Sequence, residues 1–223
     1  EKIIDNPWFI SSLKTNGIVT KPLKGYGCND IYRFKLQNNI LWKEKFFNQK
    51  ASILSQLHLP IKEWEILKII LNSLKKVSNS LIFMPYISAN HKFPKCSHSP
   101  VIRVITKKGV NGNFEIITNW LEIPCSNKMI YVNKHGFLNF NSPNNKVKKN
   151  LELDKWVDYL KANDHIFESC NQPSIYMHKK LDLIDQVAWD WIPSKEFPIL
   201  LEGNSFFSLL EPQQFLYFQN SLL

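Results

Sequence analysis

Two periodicities alternate along this chain of 223 residues, one of helices and one of strands. Residues 1–16 carry apolar side chains at helical steps and close on Asn16-Gly17, a C-terminal cap. Residues 18–23 read as a β-branched strand stopped by Pro22, and residues 24–30 as a glycine loop. Strands follow over 31–36 and 40–47, with Gln37-Asn38-Asn39 as their turn. The clearest helix spans 60–77. Its apolar positions Ile61, Trp64, Leu67, Ile70, Leu71 and Leu74 recur at three- and four-residue steps, and Pro60 suits its first turn. A buried-type strand is expected over 80–87, then strands over 101–106, 114–123 and 129–140, the last bent at Lys134-His135-Gly136. Residues 142–150 are loop-like, and helices are expected over 151–168 and 174–183. Two strands, 186–192 and 197–204, flank the turn Pro193-Ser194-Lys195-Glu196, and a last helix covers 206–220. Strands before and after helices, without βαβ alternation or repeats, predict an α+β chain.

The informative positions are polar residues set in apolar strands. Asp190 is the one acid of Gln186-Val187-Ala188-Trp189-Asp190-Trp191-Ile192, and the run 197–204 drives into Glu202-Gly203-Asn204. Residues two apart in a strand share a face, so Glu202 and Asn204 project together, and a hairpin partner can bring Asp190 beside them. Two carboxylates and an amide oxygen form a hard, all-oxygen set of the kind that takes magnesium together with substrate phosphates. The competing reading is a strand that simply runs into a polar turn at Gly203 and Asn204. Arg103 lies in the solid apolar run Ile102-Arg103-Val104-Ile105, where an unpaired charge is expensive. Its fork suits phosphate oxygens or a carboxylate, and a structural salt bridge to Glu202 or Asp190 is the alternative. Lys21 stands on a strand beside the glycine loop, placed to reach a phosphate while Gly25 and Gly27 let the backbone approach.

Composition narrows the classes. The net charge of +9 is spread in short lysine pairs, with no basic block or recognition motif, so it supports affinity for anions and makes nucleic acid an unlikely partner. Cys28, Cys96, Cys125 and Cys170 form no Cys-x-x-Cys pair, and His91 and His98 around Cys96 match no usual ligand spacing. Reduced thiols and a cytoplasmic setting are therefore expected. No apolar run is long enough to span a membrane, and Glu1-Lys2-Ile3-Ile4-Asp5 carries no signal-peptide pattern.

Read in order, Val19-Thr20-Lys21-Pro22, Gly25-Tyr26-Gly27, Ile102-Arg103-Val104-Ile105-Thr106, Ala188-Trp189-Asp190 and Leu200-Leu201-Glu202-Gly203-Asn204 resemble the ATP-grasp superfamily. The resemblance is nearest to its sugar-transfer associated branch and covers about residues 18–205. It implies an ATP-grasp fold, with two α+β lobes whose antiparallel sheets grip ATP, and an N-terminal pre-ATP-grasp region absent or truncated. The expected lobes are a nucleotide-binding one over 1–90 and a C-terminal one with the metal site over 91–223. The resemblance implies ATP and magnesium as cofactors, with Asp190, Glu202 and Asn204 as metal ligands, Lys21 on the phosphates and Arg103 on the transferring phosphoryl group. Gly25 and Gly27 would cover the phosphates, and the backbone of Phe83, Met84 and Tyr86 would read the adenine edge. Asn90, His91 and His178 have counterparts in relatives; a surface helix histidine is the other reading of His178.

The implied activity is a carboxylate–amine ligase acting through an acyl phosphate, in cell-surface polysaccharide synthesis, with a small carboxylate and an amine as substrates. The chain departs from the pattern at Met84-Pro85, where many members have Gln-Glu, and at Cys28-Asn29-Asp30, where another glycine is common. Pro85 also lacks an N–H donor. A degenerate or kinase-like ATP-binding protein and a non-enzymatic basic module are the rival readings.

Overall fold

The structure is a computed structural model that describes residues 7–23, 30–45, 51–58, 62–75, 77, 80–88, 93–94, 96, 99–125, 128–133, 136–138, 151–181, 183–193 and 197–205. Among these residues it is an α+β protein with four helices and two antiparallel sheets. By its contacts the chain divides into two compact units, Glu1–Ser88 with Ser126–Lys128, and Ala89–Cys125 with Met129–Leu223.

The first unit is a five-stranded sheet in the order β4-β3-β2-β1-β5, made of β1 (Ile18–Pro22), β2 (Tyr32–Gln37), β3 (Ile40–Lys45), β4 (Ala51–Gln56) and β5 (Leu81–Pro85). Helices α1 (Trp8–Lys14) and α2 (Glu63–Leu74) cover one face of it. The core joins Phe9 and Leu13 of α1 and Ile66, Leu67, Ile70 and Leu74 of α2 to Ile18, Phe34, Leu36 and Leu41 of the strands. Gly17 makes the entry possible. Its φ is +96° and its N–H donates to Ser12 O at 2.6 Å, closing α1 before β1 departs. The turn between β2 and β3 is Asn38-Asn39, with φ of +50° and +60°, the mirror-image geometry that matches strand twist.

The second unit is a six-stranded sheet in the order β11-β10-β6-β7-β8-β9. Its strands are β6 (Val101–Lys108), β7 (Phe114–Cys125), β8 (Lys128–Asn133), β9 (Gly136–Leu138), β10 (Gln186–Ile192) and β11 (Ile199–Asn204). Helices α3 (Leu151–Ala162) and α4 (His165–Lys180) supply Trp156, Leu160, Ile166, Phe167 and Cys170 to a core with Ile102, Val104, Leu121, Val187, Trp189 and Trp191. Burying each such large apolar side chain is worth about 1.5–3 kcal/mol, so this face anchors the unit. Two indoles tie it down further. Trp189 Nε1 donates to Thr106 Oγ1 at 2.9 Å, and Trp191 Nε1 to Ser174 Oγ at 2.9 Å.

Several elements differ from the sequence expectation. The stripe of α2 is rotated: Ile66 joins the core while Trp64 and Leu71 are exposed, because the sheet contacts a face one residue further round. Helix α2 begins at Glu63, where the Lys62 N–H meets the Glu65 carboxylate at 3.4 Å. Strand β4 was not anticipated; its residues are mostly exposed at the sheet edge and show little alternation. Within the bent strand expected over 129–140, the described residues form two antiparallel strands, β8 and β9, with Asn133 opposite Gly136. The helix break falls at residues 163–164, and Pro173 lies inside α4. Beside it the Ser174 hydroxyl donates to Cys170 O at 2.7 Å, the i−4 back-bond of a helical serine. The expected glycine loop at 24–29, the loop at 142–150 and the last helix at 206–220 lie outside the described residues.

Candidate functional site

Register assembles the site in the second unit. In β10, Asp190 stands directly opposite Glu202 of β11 on one side and Arg103 of β6 on the other, while Arg103 is opposite Trp120 of β7. Asn204 is opposite Ala188, two residues along on the same face. This is the face turned away from the α3–α4 core; its apolar part is a small cluster of Ile105, Trp120 and Ala188.

A bulge creates the arrangement. The β10–β11 register slips between Asp190 and Trp191, so that Trp191 pairs with Leu200 and Leu201 is the extra residue. In an unbroken strand Leu200 and Glu202 would share a face. With the bulge, Leu200 packs against the helix-side core while Glu202 points to the opposite face with Asp190. Gly203 and Asn204 belong to the strand and not to a turn. A Cβ on Gly203 would stand 2.8 Å from Trp189 Cζ3, so glycine at this position leaves room for the indole across the strand pair.

The charges form one network. Arg103 Nε donates to Asp190 Oδ1 at 2.7 Å and Nη2 to Oδ2 at 2.8 Å, a fork-to-fork pair. Arg103 Nη1 lies 3.2 Å from Glu122 Oε1, which also accepts from Trp120 Nε1 at 3.0 Å. The Asn204 amide donates to Glu202 Oε1 at 3.3 Å. One guanidinium thus holds two carboxylates, those of Asp190 and Glu122, and Asp190 in turn stands opposite Glu202 across the strand pair. The hydroxyl of Thr118, buried on the same strand face as Trp120, has no hydrogen-bond partner among the described residues.

Of the expected metal ligands, Asp190, Glu202 and Asn204 are brought together on this face, with Arg103 among them. Among the described residues no group of three or more His, Cys, Asp or Glu side chains is arranged to hold a metal ion. A cation here would depend on Glu202, on the amide oxygen of Asn204 and on a share of Asp190, with phosphate or water completing the shell. Such an oxygen set fits magnesium, which commonly takes only one or two protein carboxylates. Glu122 was not anticipated, although it is a lone acid in the apolar run Trp120-Leu121-Glu122-Ile123, the counterpart of the lone Arg103.

His178 is neither at this face nor on the surface. It is fully buried on the helix side, its Nε2 2.7 Å from Ile184 O and its ring 4.8 Å from that of Phe114. It is a core residue that fixes the turn after α4.

In the first unit, Lys21 lies in β1 opposite Ile82 of β5, and β5 is an edge strand. Phe83 turns into the helix-side core, edge-on to Phe9 at 6.3 Å, and Met84 is opposite Val19 on the other face. The N–H of Tyr86 donates to Gly17 O at 2.9 Å, and the Tyr86 ring stacks under Arg33 at 3.8 Å. That N–H is therefore engaged with the backbone where α1 passes into β1. Gly25, Gly27, Asn90 and His91 lie outside the described residues.

Among the described residues no helix is long and apolar enough to cross a membrane. The chain matches no protein-family model, no curated protein and no solved structure.

Proposed function

We propose that this chain has an ATP-grasp fold and is an ATP- and magnesium-dependent carboxylate–amine ligase of the cytoplasm. The observation that carries the reading is the meeting of Asp190, Glu202 and Asn204 with Arg103 on the face of the second sheet turned away from α3 and α4. Carboxylate and amide oxygens beside an arginine suit a metal–triphosphate complex, the oxygens serving the metal and the guanidinium the phosphates.

In this reading Asp190, Glu202 and Asn204 hold the magnesium, which neutralises phosphate charge when bound. Lys21 grips the phosphates, and Arg103 stabilises the phosphoryl group in transfer. The substrate carboxylate takes the terminal phosphoryl group and ADP leaves. An amine then attacks the acyl carbon, phosphate departs, and the nitrogen loses a proton to leave an amide. A place in cell-surface polysaccharide synthesis rests on the sequence resemblance alone.

The test is thermal unfolding with magnesium-ATP against ATP plus chelator, followed by product assay. A magnesium-dependent rise that Glu202→Ala abolishes, with ADP and amide formed together, supports the ligase. No rise in either condition sinks it. The second reading, a nucleotide-binding protein that does not ligate, is favoured by the engagement of both Asp190 oxygens by Arg103. It predicts the same thermal response, with ADP release lacking an amide or with no turnover.

A further inference from the structure

The face of the first sheet opposite α1 and α2 holds a cavity of about 260 Å³, lined by Arg33, Lys35 and Gln37 of β2, Trp42 and Glu44 of β3, and Ala51 of β4. Strand alternation produces it. Phe34 and Leu36 turn into the helix-side core, so their neighbours Arg33, Lys35 and Gln37 face the other way. Register then sets Lys35 directly opposite Trp42 and Arg33 directly opposite Glu44.

The two cations of this cavity differ in what they have left to offer. Arg33 is fully engaged: Nε and Nη2 donate to Asn16 O at 3.0 and 2.6 Å, Nη1 is 3.6 Å from Glu44 Oε2, and the guanidinium plane covers Tyr86. That pairing cancels the charge of Glu44 and stiffens one wall. Among the described residues Lys35 has no ion pair and Trp42 Nε1 no hydrogen-bond partner. The cavity therefore presents one uncompensated ammonium, an indole face with its N–H, and the amide of Gln37.

We propose that this cavity is a binding site for a small organic carboxylate, its anionic end on Lys35 and its planar or apolar body along Trp42. The charge favours a monoanion. A phosphate dianion would need more donors than one lysine supplies, and would sit beside the Glu44 carboxylate with the only guanidinium already occupied. The volume favours a small ligand, since it lies below the roughly 300–1,000 Å³ of sites that enclose drug-sized molecules. None of the residues of the carboxylate face of the second unit lines it.

The experiment is an NMR titration of the Trp42 indole N–H signal, assigned with Trp42→Phe, in buffer free of magnesium and nucleotide. The probes are benzoate, benzamide and phenyl phosphate, and the outcome is independent of the ligase reading. Benzoate should give a saturable shift. Lys35→Ala, with unchanged thermal midpoint, should weaken it by about tenfold, the scale of one charge-assisted contact, and Lys35→Arg should restore it. Equal responses to benzoate and benzamide, an unchanged benzoate response in Lys35→Ala, or a linear shift that never saturates would overturn the site. Tighter saturation by phenyl phosphate than by benzoate would overturn its assignment to carboxylates.

Discussion

Replacing Arg103 by Met keeps most of the aliphatic stem and removes the cation that Asp190 and Glu122 share. Asp190 is 6% exposed and Glu122 8% exposed, so the variant leaves two carboxylates out of water without their bonds to the guanidinium. Breaking a buried ion pair from one side costs about 3–5 kcal/mol. The Arg103 side chain is 22% exposed, so some water reaches the network and the loss should sit near the lower bound, about 3 kcal/mol. That is a large part of the roughly 5–15 kcal/mol that holds a typical domain together. Urea unfolding followed by far-UV circular dichroism measures it, in Arg103→Met, Asp190→Asn and the double variant. Because the fork binds both Asp190 oxygens, the double variant should be less damaged than the sum of the singles, with a coupling of about 2 kcal/mol. The loss should also persist in high salt, which screens surface pairs far more than enclosed ones. Additivity within about 0.5 kcal/mol would refute the claim that these two side chains act as a unit.

Three further outcomes follow from the packing. Gly203→Ala drives a methyl to 2.8 Å from an indole pinned by its bond to Thr106, and should cost about 1–3 kcal/mol in urea unfolding, much of it relieved in a Trp189→Leu background. Gly17→Ala meets both a φ of +96° and the Phe34 carbonyl oxygen at 2.5 Å, and should lower stability by more than about 1 kcal/mol in the same assay. Burial pushes the Cys170 thiol up to about 12, against a slight opposing effect of Ser169, so peptide mapping should find it unlabelled by iodoacetamide at pH 8 until urea is added. The neutral thiol's contribution to stability is complete below its ordinary value of 9.0 and is lost as pH climbs toward about 12, because only the unfolded chain releases the proton in that window. Wild type should therefore lose stability above pH 9 more steeply than Cys170→Ala.

The sequence by itself determined which segments alternate and which do not, and so the strands that carry Lys21, Arg103, Asp190 and Glu202. It also marked Arg103 and Asp190 as charges needing partners, since an apolar strand offers none locally. What pairs with what was settled only by the tertiary structure. Arg103 and Asp190 are 87 residues apart, and nothing in either strand selects the register that joins them. The bulge at Leu201 has no local signature, because it answers to the core that Leu200 must reach while Glu202 turns away. The same holds for α2, whose periodicity fits two neighbouring stripes and whose buried one was chosen by the sheet it packs on. His178 reads as a solvent-facing helical residue until Phe114, from a distant strand, closes over it. Periodicity is a property of a segment, whereas register, bulges and the choice of face minimise the free energy of several segments at once.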